Sequence, residues 1–327
     1  MDVMTNSFPG MSLTGIGLVS PTGTGKHEFF RCLQEADVAG ISNGGPHAYE
    51  PGQLLSWLGI TEPKLKIFRY LDPVSRNAIV AMRETLNDAG ISEAQIAAAP
   101  HEYGVVLGTA RGPCLTREAL YGSLASRRGK MVSGTLFSHC GYNIAGAMTA
   151  IAYGLKGPNL TVAERGDLGV SVLRRAKQFL MKKRAHTVFA GVTECDGGAR
   201  RRGVPFGEFA FLLCLERKDR AMKRGATVLA EVSVEDGEDG PPSANRFVVY
   251  GGHTEGDFDP ENAAALSLAL PGLPAGGERY LSLFLIGLLV DEAGLTRRYP
   301  AVTFTAPAGG TVAQVSLLHA QRECATV

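Results

Sequence analysis

Two glycine-containing segments near the N-terminus have the residue types of nucleotide-binding loops. Gly23-Thr-Gly25-Lys26 resembles a phosphate-binding loop, in which backbone amides surround phosphate oxygens and the lysine neutralises their charge. That loop requires glycine at position 20 and serine or threonine at position 27, where this sequence has Ser20 and His27. Gly15-Ile-Gly17 follows an apolar run, but a dinucleotide-binding turn opens a helix after its third small residue, and here Pro21 follows. The sequence therefore predicts neither kind of site.

Thiols and imidazoles are scattered along the chain. The six cysteines form no Cys-x-x-Cys pair, and no two of the seven histidines have the spacing of metal ligands on one helix. This pattern is typical of reduced thiols in a cytosolic protein. We therefore expect neither a metal ion nor a cofactor. The cysteines are Cys32, Cys114, Cys140, Cys195, Cys214 and Cys324.

Bulk composition excludes several classes of function. The 327 residues include 33 basic and 32 acidic side chains, and the net charge of +1 does not favour nucleic-acid binding. The most apolar segment, Leu281 to Val290, is shorter than the roughly 20 residues that span a bilayer. The first ten residues lack the basic and apolar regions of a signal peptide. We expect a cytoplasmic protein that does not bind membranes.

Apolar runs alternate with helical patterns over most of the chain. Continuous apolar strands between amphipathic helices predict an α/β fold with buried sheets. The predicted strands are 11–19, 103–108, 187–191, 208–216, 228–234 and, as a hairpin, 301–306 with 312–318. The predicted helices are 26–35, 75–89, 116–126, 143–153, 168–182, 260–270 and 281–292.

Several blocks resemble, in order, the β-ketoacyl synthases of the thiolase superfamily. Thr14 to Gly23 is similar to the first strand and turn, and Phe68 to Asp72 to the arginine–aspartate segment of that family. Tyr103 to Gly112 resembles the strand "G-V-V-x-G-T-x-x-G", and Asn143 to Pro158 the helix and turn that lead to the nucleophile. Further matches are Ala190 to Glu194, Phe206 to Glu208 and Gly309 to Thr311. The resemblance implies a thiolase-like fold of α/β/α/β/α layers, with a ketosynthase-like half at 1–235 and a shortened C-terminal half at 236–327.

The resemblance also indicates where the catalytic residues of the family should lie. Active members place a cysteine at the start of a helix, where backbone N–H groups and the helix dipole lower its pKa. Counted from Gly157-Pro158, that position is Gly166, which has no side chain to act as a nucleophile. Active members also carry two histidine loops in the C-terminal half. His253 is a poor match to them, and only Pro271 to Tyr280 stands where both loops are expected. We therefore expect no catalytic residue and no enzymatic activity.

A degenerate ketosynthase has a precedent in the chain-length factor of type II polyketide synthases. There, an active ketosynthase pairs with an inactive relative that completes the dimer and lines part of the acyl tunnel. The resemblance implies such a role here, in polyketide, polyene or fatty-acid-like biosynthesis, with an active ketosynthase as the partner and an acyl carrier protein as an indirect one. Chain-length factors usually have glutamine at the cysteine position, so Gly166 departs from that group.

Five residues are candidates for the tunnel or the subunit interface. They lie on the predicted helix 116–126 and in a predicted loop, Thr135 to Cys140, which correspond to partner-facing elements of the family. Ordinary packing in a core or an interface is an equally good interpretation, because large apolar side chains dominate both. The candidates are Thr116, Ala119, Leu120, Phe137 and His139.

Two other interpretations remain open at this point. Glu164, Arg165 and Asp167 surround the missing nucleophile and, with His139, could form a new acid–base site in a divergent enzyme, although an ion pair that fills the vacated pocket is the simpler explanation. Alternatively, the chain could be a homodimer that binds acyl chains or a carrier protein.

Overall fold

A computed structural model describes residues 11–20, 23–24, 68, 70–126, 133–164, 168–195, 208–235, 244–250 and 312–314. The structural statements that follow concern these residues. Four predicted elements lie outside them, namely the helices at 26–35, 260–270 and 281–292 and the strand at 301–306.

The strands form one mixed sheet of nine strands. They are β1 Met11–Ser20, β2 Gly23–Thr24, β3 Tyr103–Gly108, β4 Asn159–Val162, β5 Thr187–Glu194, β6 Phe209–Arg217, β7 Ala230–Glu235, β8 Ala244–Tyr250 and β9 Val312–Gln314. Their order is β4-β3-β5-β6-β1-β7-β8-β9, with β2 paired to β1. The pairs β3/β4, β3/β5 and β8/β9 are parallel, and the other pairs are antiparallel. The predicted α/β class is confirmed.

Seven helices accompany the sheet in the described part of the chain. They are α1 Pro73–Ala89, α2 Glu93–Ala98, α3 Cys114–Ser126, α4 Gly134–His139, α5 Ile144–Tyr153, α6 Leu168–Met181 and α7 Lys218–Lys223. A 3-10 turn, Pro100–Glu102, joins α2 to β3.

The two faces of the sheet are covered by different helices. Alternate residues of β3, β5 and β6, such as Val105, Phe189 and Leu212, share a core with α1 and α5, because successive side chains of a strand point to opposite faces. On the other face α6 packs against β5 and β3. Strands β3 and β5 are therefore covered on both sides, which explains why both are buried along their whole length.

Helix α1 has strong signals at both ends. Asp72 is its N-cap and accepts a hydrogen bond from the Val74 amide at 3.2 Å, and Pro73 occupies the first turn, where a missing N–H has no cost. Gly90 ends the helix with φ of +63°, a conformation that favours glycine. The predicted end at Gly90 is confirmed, and the helix begins two residues before the predicted Ser75.

Two glycines bring α1 into close contact with β1. A Cβ on Gly17 would lie 2.0 Å from the carbonyl oxygen of Ala81, and one on Gly15 would lie 2.6 Å from the amide of Ala89. The backbone of β1 therefore packs directly against α1 at these two positions. The glycines of Gly15-Ile-Gly17 are needed for this close packing.

Three parts of the sequence-based prediction need correction or extension. The predicted loop at 135–140 is wrong: residues 134–139 form α4, and the Ser133 hydroxyl accepts a hydrogen bond from the Leu136 amide as its N-cap. Strands β4 and β8 were not predicted. The strand β9, predicted as one arm of a hairpin, pairs with β8 in parallel, so β8 and β9 extend the sheet of the N-terminal half. The division of the chain at residue 235 stays a prediction.

Candidate functional site

Three chain segments meet where the parallel strands β3 and β5 end. Because parallel strands end at the same edge of a sheet, Thr109 after β3 lies beside Glu194 at the end of β5. The N-termini of α1 and α3 reach the same place, where the Thr193 hydroxyl donates to the Val74 carbonyl at 2.7 Å. We call this region, residues 72–74, 109–117 and 193–195, the strand-end junction.

Glu194 organises the turn that leads from β3 to α3. Its carboxylate is buried, at 1% exposure, and accepts hydrogen bonds from the Ala110 amide, the Arg111 amide at 3.3 Å and the Thr109 hydroxyl at 3.3 Å. The Thr109 hydroxyl oxygen in turn accepts from the Gly112 amide at 2.8 Å. One buried carboxylate thereby fixes four consecutive residues of the turn.

The outer side of this turn is covered by Arg117 and Tyr142. The Arg117 guanidinium donates to the Arg111 carbonyl and lies 4.6 Å from the centre of the Tyr142 ring, a cation–π contact. Gly112 has φ of +63° and passes so close to this ring that a Cβ would be 2.9 Å from it. Glycine is therefore needed at 112 for both its conformation and its size.

Asp72 connects the junction to two helices. Besides capping α1, its carboxylate accepts hydrogen bonds from the amide and the hydroxyl of Thr116, both at 3.0 Å, in the first turn of α3. Burial raises the pKa of Asp72, while the hydrogen bonds from Thr116 and Val74 act in the opposite direction.

Two cysteines also lie in the junction. Cys114 is the first residue of α3, and its thiol donates to the carbonyl oxygen of Cys195 at 3.1 Å. The pKa of Cys114 is lowered, with its hydrogen bond to the Cys195 side chain as the largest cause, opposed by burial and by the charge of Asp72. The Cys195 thiol lies 3.6 Å from a carboxylate oxygen of Glu208.

The five tunnel candidates divide into two groups. Thr116, Leu120 and His139 are buried within the chain itself, and Thr116 is bound to Asp72. Ala119 on α3 and Phe137 on α4 are exposed, with 68% of Phe137 accessible. Only these last two side chains are open to a partner in the described structure. A contribution of any of the five to a tunnel remains a prediction.

The residues around the vacated nucleophile are only partly described. Gly166, Arg165 and Asp167 lie outside the described residues, in the segment between Glu164 and the start of α6. Glu164 is exposed, and its carboxylate accepts a hydrogen bond from the Ser171 hydroxyl in the first turn of α6. A carboxylate there is favourably placed relative to the helix dipole.

The structure does not bring Glu164 and His139 together through any described contact. The Nδ1 atom of His139 lies 2.9 Å from the Thr135 carbonyl, one turn earlier in α4, and 3.1 Å from the Ser138 hydroxyl. Each of the two residues thus forms its hydrogen bonds with near neighbours in the sequence.

Among the described residues, no group of three or more His, Cys, Asp or Glu side chains could hold a metal ion. Within the same part of the chain, no helix is long and apolar enough to cross a membrane.

A family model described as "Beta-ketoacyl synthase, N-terminal domain" matches residues 62–204, which contain the whole strand-end junction. Residues 62–204 form a β-ketoacyl synthase N-terminal domain. The family resemblance found in the sequence is confirmed.

Individual relatives agree with this assignment. The chain is 25% identical over 254 residues to "3-oxoacyl-[acyl-carrier-protein] synthase 2" of Coxiella burnetii, covering 67% of this chain and 61% of that protein. It is 23% identical over 255 residues to "Tetracenomycin polyketide synthase ketoacyl synthase beta subunit" of Streptomyces glaucescens, covering 66% and 60%. The chain therefore spans about three fifths of the length of these β-ketoacyl synthases.

A solved structure shows the same fold. "The ishigamide ketosynthase/chain length factor" superposes with a TM-score of 0.50 at 24% identity, covering 70% of this chain and 68% of that one. The thiolase-like ketosynthase fold is confirmed, as a mixed sheet with helices on both faces.

One prediction about activity is wrong. The expectation that the chain is not an enzyme rests on Gly166 and on the missing histidine loops, whereas a curated relative is named a 3-oxoacyl-[acyl-carrier-protein] synthase, and the matching family is one of synthases. Missing motifs in a divergent sequence do not outweigh the family as a whole.

Sequence reasoning missed the residues that build the junction. Asp72 and Glu194 stand in blocks that resemble the family, but no local pattern marks them as buried carboxylates. Cys114 and Cys195 are 81 residues apart, and their contact depends on the pairing of β3 with β5. The one available signal for Cys114 was its place two residues before the predicted helix 116–126.

Proposed function

We propose that the chain is a subunit of a β-ketoacyl synthase dimer that elongates acyl chains attached to an acyl carrier protein. In this proposal it pairs with a ketosynthase subunit in the manner of a chain-length factor, and its surface forms part of the acyl tunnel where the two subunits meet. The enzyme is the assembled dimer. In the reaction, an acyl thioester condenses with a malonyl thioester on the carrier protein. The acyl carbon–sulfur bond and the bond to the malonyl carboxylate break, a new carbon–carbon bond forms, and a thiol and carbon dioxide are released.

The observation that carries the proposal is the exposed apolar surface of α3 and α4. Tyr121 is 63% exposed and Phe137 is 68% exposed, and the small side chain of Ala119 is exposed as well. We call these three residues the α3–α4 surface. Large aromatic side chains are unusual on a surface that meets only water and are enriched in the cores of protein interfaces.

An edge of the sheet is a second surface that supports an interface. Among the described strands β4 is the last in the order and pairs only with β3. Its free side offers backbone N–H and C=O groups, which can pair with a strand of a partner. The strand is short and partly exposed, as a strand at a subunit boundary would be in an isolated chain.

The names of two relatives favour a heterodimer, in which this chain pairs with a different ketosynthase-like subunit. One is named the ketoacyl synthase beta subunit of a polyketide synthase, and the similar structure is described as a ketosynthase/chain length factor. By analogy, the partner is a ketosynthase that retains the cysteine and both histidines. An acyl carrier protein would deliver the acyl chains to the pair.

Co-expression with such a ketosynthase from the same source tests the proposal. The purified pair is incubated with acyl- and malonyl-loaded carrier protein, beside each subunit alone, and the β-ketoacyl products are identified by mass spectrometry. We expect the pair to form products that the ketosynthase subunit alone makes in smaller amount or with a different chain length. Identical product amounts and lengths with and without this chain would contradict the proposal.

A further inference from the structure

Two cysteines from distant parts of the sequence are in contact in the strand-end junction. Cys114 opens α3, a helix of 13 residues, and Cys195 directly follows β5. The Cys114 thiol donates to the Cys195 carbonyl at 3.1 Å, and the Cys195 side chain is the largest cause of the lowered pKa of Cys114. Both residues are present as thiols in the structure.

The two thiols differ in accessibility and in acidity. Cys114 is half-buried, whereas Cys195 is fully buried. Contact with Cys195 and the backbone N–H of Leu115 lower the pKa of Cys114, against the effects of burial, Asp72 and Glu118. An accessible thiol with a lowered pKa beside a second, shielded thiol is the arrangement of cysteines that react with oxidants.

The surrounding hydrogen bonds hold both thiols in position. Glu194, the neighbour of Cys195, binds the turn at 109–112 that leads to Cys114. Asp72 binds Thr116 two residues after Cys114. Both backbones are thus fixed by buried carboxylates, so the contact between the two cysteines does not depend on a flexible loop.

We propose that Cys114 and Cys195 form a thiol modification site that a peroxide converts into a disulfide. The thiolate of Cys114 attacks the peroxide, the oxygen–oxygen bond breaks, and Cys114 becomes a sulfenic acid while the peroxide leaves as water or an alcohol. The Cys195 thiol then attacks the sulfenic sulfur, a sulfur–sulfur bond forms, and a second water leaves. The disulfide would join the start of α3 to the end of β5.

This inference goes beyond the proposed function and does not depend on it, because it concerns chemistry within a single chain. The other described cysteines provide contrasts. Cys214 is fully buried in β6, and burial raises its pKa far above the ordinary value. Cys140 is half-buried like Cys114, but its thiol donates to the Phe137 carbonyl at 3.0 Å within its own helix end. Cys140 is therefore the matched control.

Peptide mapping of the full chain after treatment with hydrogen peroxide tests the site. The wild-type protein should yield a non-reduced peptide that links residues 114 and 195, lighter by about 2 Da than the two thiol peptides together. Cys195→Ser should instead accumulate a sulfenic acid at Cys114, trapped by dimedone. Cys140→Ser should behave like the wild type. Circular dichroism shows whether each variant is folded.

Alkylation rates provide a second readout that does not require oxidation. At pH 7 we expect iodoacetamide to modify Cys114 at least about 5-fold faster than Cys140, because the thiolate is the reacting form. Absence of the 114–195 linked peptide in folded wild-type protein would overturn the proposal. So would slower alkylation at Cys114 than at Cys140.

Discussion

The carboxylate of Asp72 accepts two hydrogen bonds from Thr116, one from its amide and one from its hydroxyl, each at 3.0 Å. The same carboxylate caps α1 through the Val74 amide at 3.2 Å. A single buried side chain thus accepts hydrogen bonds from backbone N–H groups in the first turns of two helices. The first residues of these helices, Pro73 and Cys114, are 41 residues apart in the sequence. It also fixes the position of α3, whose exposed side belongs to the α3–α4 surface.

Asp72→Asn should change how the stability of the protein depends on pH. Burial raises the folded-state pKa of Asp72 above the ordinary value of 3.8. A carboxyl group with a raised pKa stabilises the fold fully below its unfolded pKa, and this stability is lost as the pH rises through the folded pKa. The free energy of unfolding of the wild type, relative to that of Asp72→Asn, should therefore fall as the pH increases from below 3.8 towards 7.

Urea unfolding of both proteins at several pH values gives this difference. The absolute stability of the variant is not the test, because asparagine has one acceptor oxygen where aspartate has two, so its NH2 group must face either the Val74 amide or Thr116. Other carboxyl groups such as Glu84, whose pKa burial also raises, are common to both proteins and cancel. The opposite result would be a wild type that becomes more stable relative to Asp72→Asn as the pH rises. It would show that the hydrogen bonds to Asp72 affect its pKa more than burial does.

Thr116→Val distinguishes a structural role of this residue from a role in the tunnel. The variant loses the hydroxyl that donates to Asp72 and should lower the free energy of unfolding by about 1.5–3 kcal/mol, as expected for a hydrogen bond to a charged group. Since Thr116 is buried within the chain, the products of the dimer should keep their length. A changed product length at wild-type stability would instead place Thr116 in the tunnel.

Gly17→Ala should destabilise the protein through the contact between β1 and α1. The added Cβ would lie 2.0 Å from the Ala81 carbonyl oxygen, so the helix must move away from the sheet. Overpacking of this kind costs about 1–3 kcal/mol. Gly122→Ala is the matched control, because nothing lies within 4 Å of the new Cβ on α3, and alanine in a helix should gain about 0.5–1 kcal/mol. Chemical denaturation of both variants measures the two effects, and equal losses would contradict this account of β1.

Much of the fold follows from the sequence because its signals are local and strong. The buried strand at 103–108 and the end of α1 at Gly90 are found as predicted, since an apolar run and a left-handed glycine need no tertiary context. The sequence does not reveal strand β4, because its polar–apolar alternation covers only four residues, all at least partly exposed at a sheet edge. The sequence predicts a loop in place of helix α4 because six residues are too few to show a helical period.

The site was less predictable, because it is built from long-range contacts. Glu194 and Ala110 are 84 residues apart, and their hydrogen bond exists only because β3 and β5 are adjacent. The sequence indicated the family correctly from the order of its blocks. It misled about activity, since Gly166 and the missing histidine loops were given more weight than the family that the domain matches.

Phe137→Ala should lengthen or broaden the products of the assembled dimer. If the exposed ring limits the tunnel, its removal opens space for a longer acyl chain. Mass spectrometry of the products of the reconstituted pair measures the change. Met222→Ala is the matched control, because Met222 is equally exposed, at 67%, but lies on α7. An unchanged product profile in an intact Phe137→Ala dimer would show that the ring does not line the tunnel.

The recovery of a ketosynthase partner with the tagged chain tests the central claim most directly. The claim is that the α3–α4 surface is the face on which the subunits of the synthase meet. Wild-type chain and Met222→Asp should retain the co-expressed ketosynthase equally. Phe137→Asp, which places a charge in the interface, should reduce its recovery at least about 10-fold, equivalent to about 1.4 kcal/mol of binding free energy. Equal recovery with Phe137→Asp and wild type, or no recovery with wild type, would contradict the account.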